Sequence, residues 1–271
     1  MDWPLALLVI FGGLLLIMAT GMPVAFGFAL INVLGIFFLW GGGAGLRQLT
    51  LSVYESLTSF ILLPIPLFIL MGDVVFHSGI GNVMLDAIDK WMGRIPGRLG
   101  ILAIAGGTLL STLTGASVAS VAILGSTLVP EMERRGYKKP MSLGPILGSG
   151  GLAFMIPPSG LAVWIGAIGM ISIGSILIAI ILPGILMAFL YGSYIIIRCK
   201  LQPNLAPEYA VDLPSMSEKL RSLAKHVLPL GIIIFLVVGV IFIGVATPSE
   251  AAATGALGCF CLAAAYRKLN W

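Results

Sequence analysis

Residues 99–129 read LGILAIAGGTLLSTLTGASVASVAILGSTLV, and how this stretch meets a bilayer decides the fold. Its 31 residues carry no charge. A single span needs about 20 residues, so the stretch is too long for one crossing and too short for two. At its centre stands Thr114-Gly115-Ala116-Ser117, a weak helix former, and each half would reach only about 20–24 Å at a rise of 1.5 Å per residue. The flanking charges choose between the alternatives. Lys90, Arg94 and Arg98 precede the stretch, and Arg134, Arg135, Lys138 and Lys139 follow it. One crossing would put these basic clusters on opposite faces, whereas a re-entrant hairpin with its tip at 114–117 leaves both on the cytoplasmic side. We take the hairpin.

A second interruption follows, from Ser149-Gly150-Gly151 to Pro157-Pro158-Ser159. Neither proline has an N–H to give, so carbonyls one turn earlier, near Ala153 and Phe154, lose their helical partners. Unpaired backbone groups in hydrocarbon cost several kcal/mol each, so such segments line a cavity or are packed in protein. A pair of them reads as a substrate or ion site. The candidate residues are Thr114, Gly115, Ala116, Ser117, Ser149, Gly150, Gly151, Pro157, Pro158 and Ser159. Further hydroxyls come from Ser111, Thr112 and Ser120. Hydroxyl and carbonyl oxygens are the hard ligands that sodium prefers, and half-helix ends present clusters of them. The alternative is structural: Ser, Thr and Gly let membrane helices pack closely, and prolines can kink a span braced by its neighbours.

The rest of the chain agrees with a lipid solvent. It is 59% hydrophobic and 10% charged, where soluble domains carry about 25% charge; mean hydropathy is +1.09. An all-α polytopic membrane protein follows, with spans expected near 4–20, 22–40, 60–77, 143–169, 172–197, 227–245 and 249–266. The first is expected to be an uncleaved span and not a signal peptide, because Asp2 stands where a basic region would be. With the hairpin in place, fourteen of the fifteen basic residues face the cytoplasm and Arg47 alone faces out. The net charge of +4 is thus explained by topology, and no nucleic-acid partner is implied.

Spans one and two, joined by Thr20-Gly21-Met22-Pro23, are matched in opposite orientation by the last two spans, joined at Thr247-Pro248-Ser249-Glu250. This suggests an inverted-repeat, ion-transporter-like fold in which the second repeat is only begun. Residues 1–200 would form the first repeat, with the hairpin at about 99–129 and the broken helix at about 143–169. Residues 201–226 would be an interfacial arm and residues 227–271 the start of the second repeat. In the arm, Ser215 and Glu218 fit a capping box, and Leu220, Leu223 and Val227 oppose Lys219, Arg221 and Lys225, as in a helix lying on the cytoplasmic surface.

Intramembrane ionisable groups are scarce, which argues against a proton relay. Asp73 and His77 are spaced to pair with each other; Glu250 is placed to cap the helix after Pro248; His226 flanks a span. Cys259 and Cys261 point to different helix faces, so no disulfide framework is implied. No metal-ligand spacing, nucleophile elbow or phosphate loop occurs, and enzymatic chemistry and cofactors have no candidate residues.

Several stretches in this order resemble one family. They are Pro66-Leu67-Phe68-Ile69-Leu70-Met71-Gly72 followed by Ser78-Gly79-Ile80, Pro130-Glu131-Met132 leading to Arg135-Gly136-Tyr137, Ile156-Pro157-Pro158-Ser159, and Thr247-Pro248-Ser249-Glu250-Ala251-Ala252. The resemblance is to the large membrane subunit of tripartite ATP-independent periplasmic (TRAP) transporters. It implies a sodium-coupled importer in the bacterial inner membrane that takes a carboxylate-bearing solute from a periplasmic binding protein. It also implies an elevator-like motion and a small four-helix membrane subunit as partner. The family's hairpin tip usually reads Ser-Gly-Ser-Ser; Thr114-Gly115-Ala116-Ser117 matches it with Ala116 lacking a hydroxyl. Sodium is then expected at Thr114, Ser117, Gly150 and Pro157. Family subunits are longer, so the resemblance also implies a C-terminally incomplete chain that does not transport by itself. The alternative is a non-transporting membrane scaffold that binds the small subunit.

Overall fold

The computed structural model describes residues 3–93, 95–114, 117–207 and 214–268, and of Thr114 and Ala119 the backbone only. Among the described residues every regular element is helical, which is what hydrocarbon demands of a backbone that must satisfy its own hydrogen bonds. The chain forms two compact units, residues 1–59 and 60–271.

The first unit is α1 (Trp3–Ala19), α2 (Val24–Leu39) and α3 (Gly43–Thr58), packed in succession. Gly21 adopts a left-handed φ of +79° at the turn before Pro23, and its N–H bonds Met18 O at 3.0 Å, ending α1. The third helix was not expected from sequence, because Arg47, Gln48 and Glu55 break its apolar run. It folds back on α2 at Gly45, where a Cβ would stand 2.2 Å from Trp40 O, so no larger residue fits that turn.

The second unit begins with a 3-10 turn (Phe60–Leu62) and runs through α4 (Pro64–His77), α5 (Ile80–Asp89), α6 (Arg98–Thr114), α7 (Ser117–Arg134), α8 (Lys139–Met155) and α9 (Gly160–Ile168). It continues with α10 (Ile173–Ala179), α11 (Ile181–Leu201), α12 (Met216–Ser222), a π-helical turn (Leu223–Val227), α13 (Leu228–Phe242) and α14 (Pro248–Ala265). Helix α6 packs along α8, α7 and α4, while α14 packs against α4 and α13. Phe60–His77, Ile173–Leu201 and Met216–Phe242 are long and apolar enough to cross a membrane, and α8 with α9, bent by 42°, makes a fourth. The solvent is legible in the burial pattern. Ser111, Ser120, Ser149 and Ser159 are fully buried, whereas Leu182, Phe189 and Phe235 are largely exposed. Water would reverse that arrangement, and a bilayer requires it.

Three expectations need correction. Ser149, Gly150 and Gly151 are not part of the irregular segment: α8 stays helical through Met155, and the break is confined to residues 156–159. Small residues allow irregular backbone without imposing it; only Pro157 and Pro158 forbid helical bonds. Helix α7 does not stop at Val129 but continues through Pro130 to Arg134. In the arm, α12 continues through the π-helical turn into α13, so that Met216–Phe242 forms one helical run of 27 residues. Its capping box is half made: Ser215 Oγ accepts the Glu218 N–H at 3.3 Å, but Lys90 Nζ donates to the Glu218 carboxylate at 3.0 Å instead.

Helix α5 also went unforeseen, although Ile80, Met84, Leu85, Ala87 and Ile88 are buried at helical spacing. Local pairings followed their spacing more closely. His77 Nδ1 lies 3.2 Å from Asp73 Oδ1. Glu250 completes a capping box, accepting the Thr247 N–H at 2.8 Å. Cys259 is buried and Cys261 exposed.

Candidate functional site

Helices α6 and α7 form an antiparallel pair symmetric about the Gly115–Ala116 link. Ser111 Oγ, four residues before the link, donates to Ser120 Oγ, four residues after it, at 3.4 Å. Eight residues out on each arm, a Cβ built on Gly107 would lie 3.1 Å from Leu124 Cδ1. Gly115 and Ala116 themselves, and the side chain of Thr114, lie outside the described residues.

Helix α8 packs against both arms. Ser111 Oγ also reaches the carbonyl of Ser149 at 3.4 Å, so one hydroxyl proton has two acceptors on two different helices. Ser149 Oγ donates to Ile146 O at 2.7 Å, which leaves its carbonyl side facing α6. On the opposite arm, a Cβ on Gly150 would stand 2.7 Å from Val121 Cγ2 and 3.6 Å from Ser117 Cβ. The glycine therefore lets α7 approach α8 closely at this point. Of the residues expected to form a site, the structure brings Ser117, Ser149 and Gly150 together. A Cβ on Gly151 would meet nothing within 4 Å.

Pro157, Pro158 and Ser159 are buried in the break that ends α8. Ile156 makes the last α8 bond, its N–H donating to Leu152 O at 2.9 Å. Ser159 starts the next segment by accepting the Ala162 N–H at 3.3 Å, an N-cap that turns the chain into α9. Gly184 of α11 closes the break from outside, for a Cβ there would lie 2.4 Å from Met155 O. The break starts six residues beyond Gly150, about 9 Å further along the helix axis.

Two half-helix ends are thus presented at each interruption. The C-termini of α6 and α8 carry carbonyls and the negative ends of their dipoles, suited to a cation. The N-termini of α7 and α9 carry N–H groups and positive ends, suited to a carboxylate. Among the described residues no group of three or more His, Cys, Asp or Glu could hold a metal ion, so a cation here would be bound by hydroxyl and carbonyl oxygens.

Gly107 was missed by the sequence reading. Its signal was present as Gly107 and Ser111 spaced four apart, the small-xxx-small pattern of close helix contacts. Gly184 was missed because only the tertiary position of the α8 break explains it.

Paired interruptions in apolar helices are the arrangement that secondary transporters use for their binding sites. The model of the family described as "Tripartite ATP-independent periplasmic transporter, DctM component" matches residues 11–271, and the chain belongs to that family. The uncharacterized protein YgiK of Salmonella typhimurium is 31% identical over 265 residues, covering 97% of this chain and 60% of its own length. The ectoine TRAP transporter large permease protein TeaC of Halomonas elongata is 30% identical over 241 residues, with 89% of this chain and 55% of that protein covered. The C4-dicarboxylate TRAP transporter large permease protein DctM of Pseudomonas aeruginosa is 32% identical over 213 residues, with 78% and 48% covered. The chain spans about half to three-fifths of the length of these relatives.

Proposed function

We propose that this chain supplies an ion- and solute-binding wall of a sodium-coupled TRAP permease in the bacterial inner membrane. Its solute is a small organic molecule bearing a carboxylate, received from a periplasmic binding protein, and a small four-helix membrane subunit is its partner. The carrying observation is the convergence of Ser111, Ser120 and Ser149 at the tip of the α6–α7 pair. Three buried hydroxyls with an interhelical carbonyl are an unusual concentration of hard oxygen for a bilayer interior. In this reading α6 and α7 form a re-entrant hairpin. Arg98 opens α6 while Arg134 closes α7, so the basic ends lie together and the uncharged tip points into the membrane.

The relatives support a class of solute rather than one molecule, since their names specify ectoine, a C4-dicarboxylate and isethionate. The first two carry carboxylates and the third a sulfonate, anionic oxygen groups that the N-termini of α7 and α9 suit. The family description itself names three parts, which supports the partner reading. The deciding experiment is thermal unfolding of the purified chain in sodium against potassium. A sodium-specific rise supports the ion site, and identical melting in both salts rejects it in favour of a scaffold that binds its partner subunit without binding the ion.

A further inference from the structure

Away from the serine cluster, a cavity of about 130 Å³ opens where α5, the π-helical turn and the end of α14 meet. Ile80 and Val83 form one wall; Lys225, His226, Tyr266 and Lys268 form the other. Lys225 and His226 come just before α13 begins at Leu228, and Tyr266 and Lys268 just after α14 ends at Ala265. The cavity therefore sits where two adjacent helices leave the hydrocarbon, at the depth of lipid headgroups. Its walls are fixed: the Tyr266 hydroxyl donates to the Lys225 carbonyl, and the His226 and Tyr266 rings lie 6.1 Å apart, tilted by 33°.

The charges are unequally matched. Glu218 is engaged by Lys90, and Asp86 interacts with Lys90 as well as with His226. Among the described residues, neither Lys225 nor Lys268 forms an ion pair. Two ammonium groups with no ion pair among the described residues, beside an apolar wall at the membrane surface, match a phosphate that carries its own hydrocarbon.

We propose that this cavity binds the phosphate of an anionic glycerophospholipid of the cytoplasmic leaflet. Lys225 and Lys268 hold the headgroup charge, and Ile80 and Val83 receive the start of the acyl region. A free phosphate would satisfy the lysines but leave that wall wet, so the lipid is the better occupant.

The test is native mass spectrometry of the full chain, released from nanodiscs that mix phosphatidylglycerol with phosphatidylcholine. Phosphatidylglycerol should be retained preferentially, and Lys225→Ala and Lys268→Ala should each weaken retention about fivefold, at roughly the strength of one basic residue near an anionic surface. Lys225→Arg and Lys268→Arg should retain it, which separates charge from folding. Melting in pure phosphatidylcholine should be the same for all variants. Equal retention of the two lipids, or undiminished retention by the alanine variants, would overturn the proposal. Displacement of phosphatidylglycerol by millimolar inorganic phosphate would overturn it in favour of a free-phosphate site.

Discussion

Gly107 and Ser149 meet so closely that a Cβ on the glycine would stand 2.4 Å from the serine Cβ and 2.5 Å from its Oγ. The contact sets the separation of α6 and α8, and Ser149 is held in place by its bond to Ile146. Gly107→Ala should destabilise the protein by about 1–3 kcal/mol through overpacking. Gly144 on the same α8 has open space at its Cβ, so Gly144→Ala should be neutral or stabilising by about 0.5–1 kcal/mol. Unfolding of the two variants side by side in one detergent checks the opposite signs.

Gly184→Ala tests the packing of the α8 break. The obstructing atom is the carbonyl oxygen of Met155, a backbone group that cannot rotate away. A loss of about 2 kcal/mol or more is expected, accompanied by faster proteolysis within residues 155–160. Unchanged proteolysis and melting would show that α11 does not brace the break.

Sodium at ten times its dissociation constant should raise stability by about 1.4 kcal/mol over potassium. Ser111→Ala should abolish that increment and lower stability in potassium by about 1 kcal/mol, since its hydroxyl links α6 to both neighbours. A sodium increment that survives in Ser111→Ala would move the ion away from this cluster.

Arg98 anchors the chain that enters α6. Its guanidinium donates to both carboxylate oxygens of Asp89 at 2.9 and 2.7 Å, to the Asp89 carbonyl at 2.9 Å and to the Gly93 carbonyl at 3.2 Å. The arginine side chain is 7% exposed and the aspartate 35%, so the pair is partly screened. Asp89→Ala should cost about 2 kcal/mol by leaving a largely buried cation without its partner. A double-mutant cycle with Arg98→Ala should recover a coupling above the range typical of surface pairs.

Where covalent chemistry dictates backbone, the sequence was legible. Pro157 and Pro158 cannot donate, and the helix breaks there; Thr247 and Glu250 have the spacing of a reciprocal cap, and they form one. Permissive residues misled, since Gly150 and Gly151 could leave a helix but stay within one. Competition misled at Glu218, whose carboxylate is claimed by Lys90 from far along the chain. The likeness of the junctions at Pro23 and Pro248 does not extend to their caps, because α2 begins without a side-chain cap. Site geometry was legible as an inventory of hydroxyls. That Ser111, rather than Ser117, links three helices depends on the angle at which α8 crosses the pair, and no local pattern encodes that angle.

The helical run from Met216 to Phe242, which passes through the π-helical turn at Leu223–Val227, has a mechanical meaning. Twenty-seven residues make a rod of about 40 Å. Tilting it by 10° about one end would carry the other roughly 7 Å. Lys90 beside α5 holds Glu218 near one end, so a rotation of the run about that tie would show its largest displacement at Phe242.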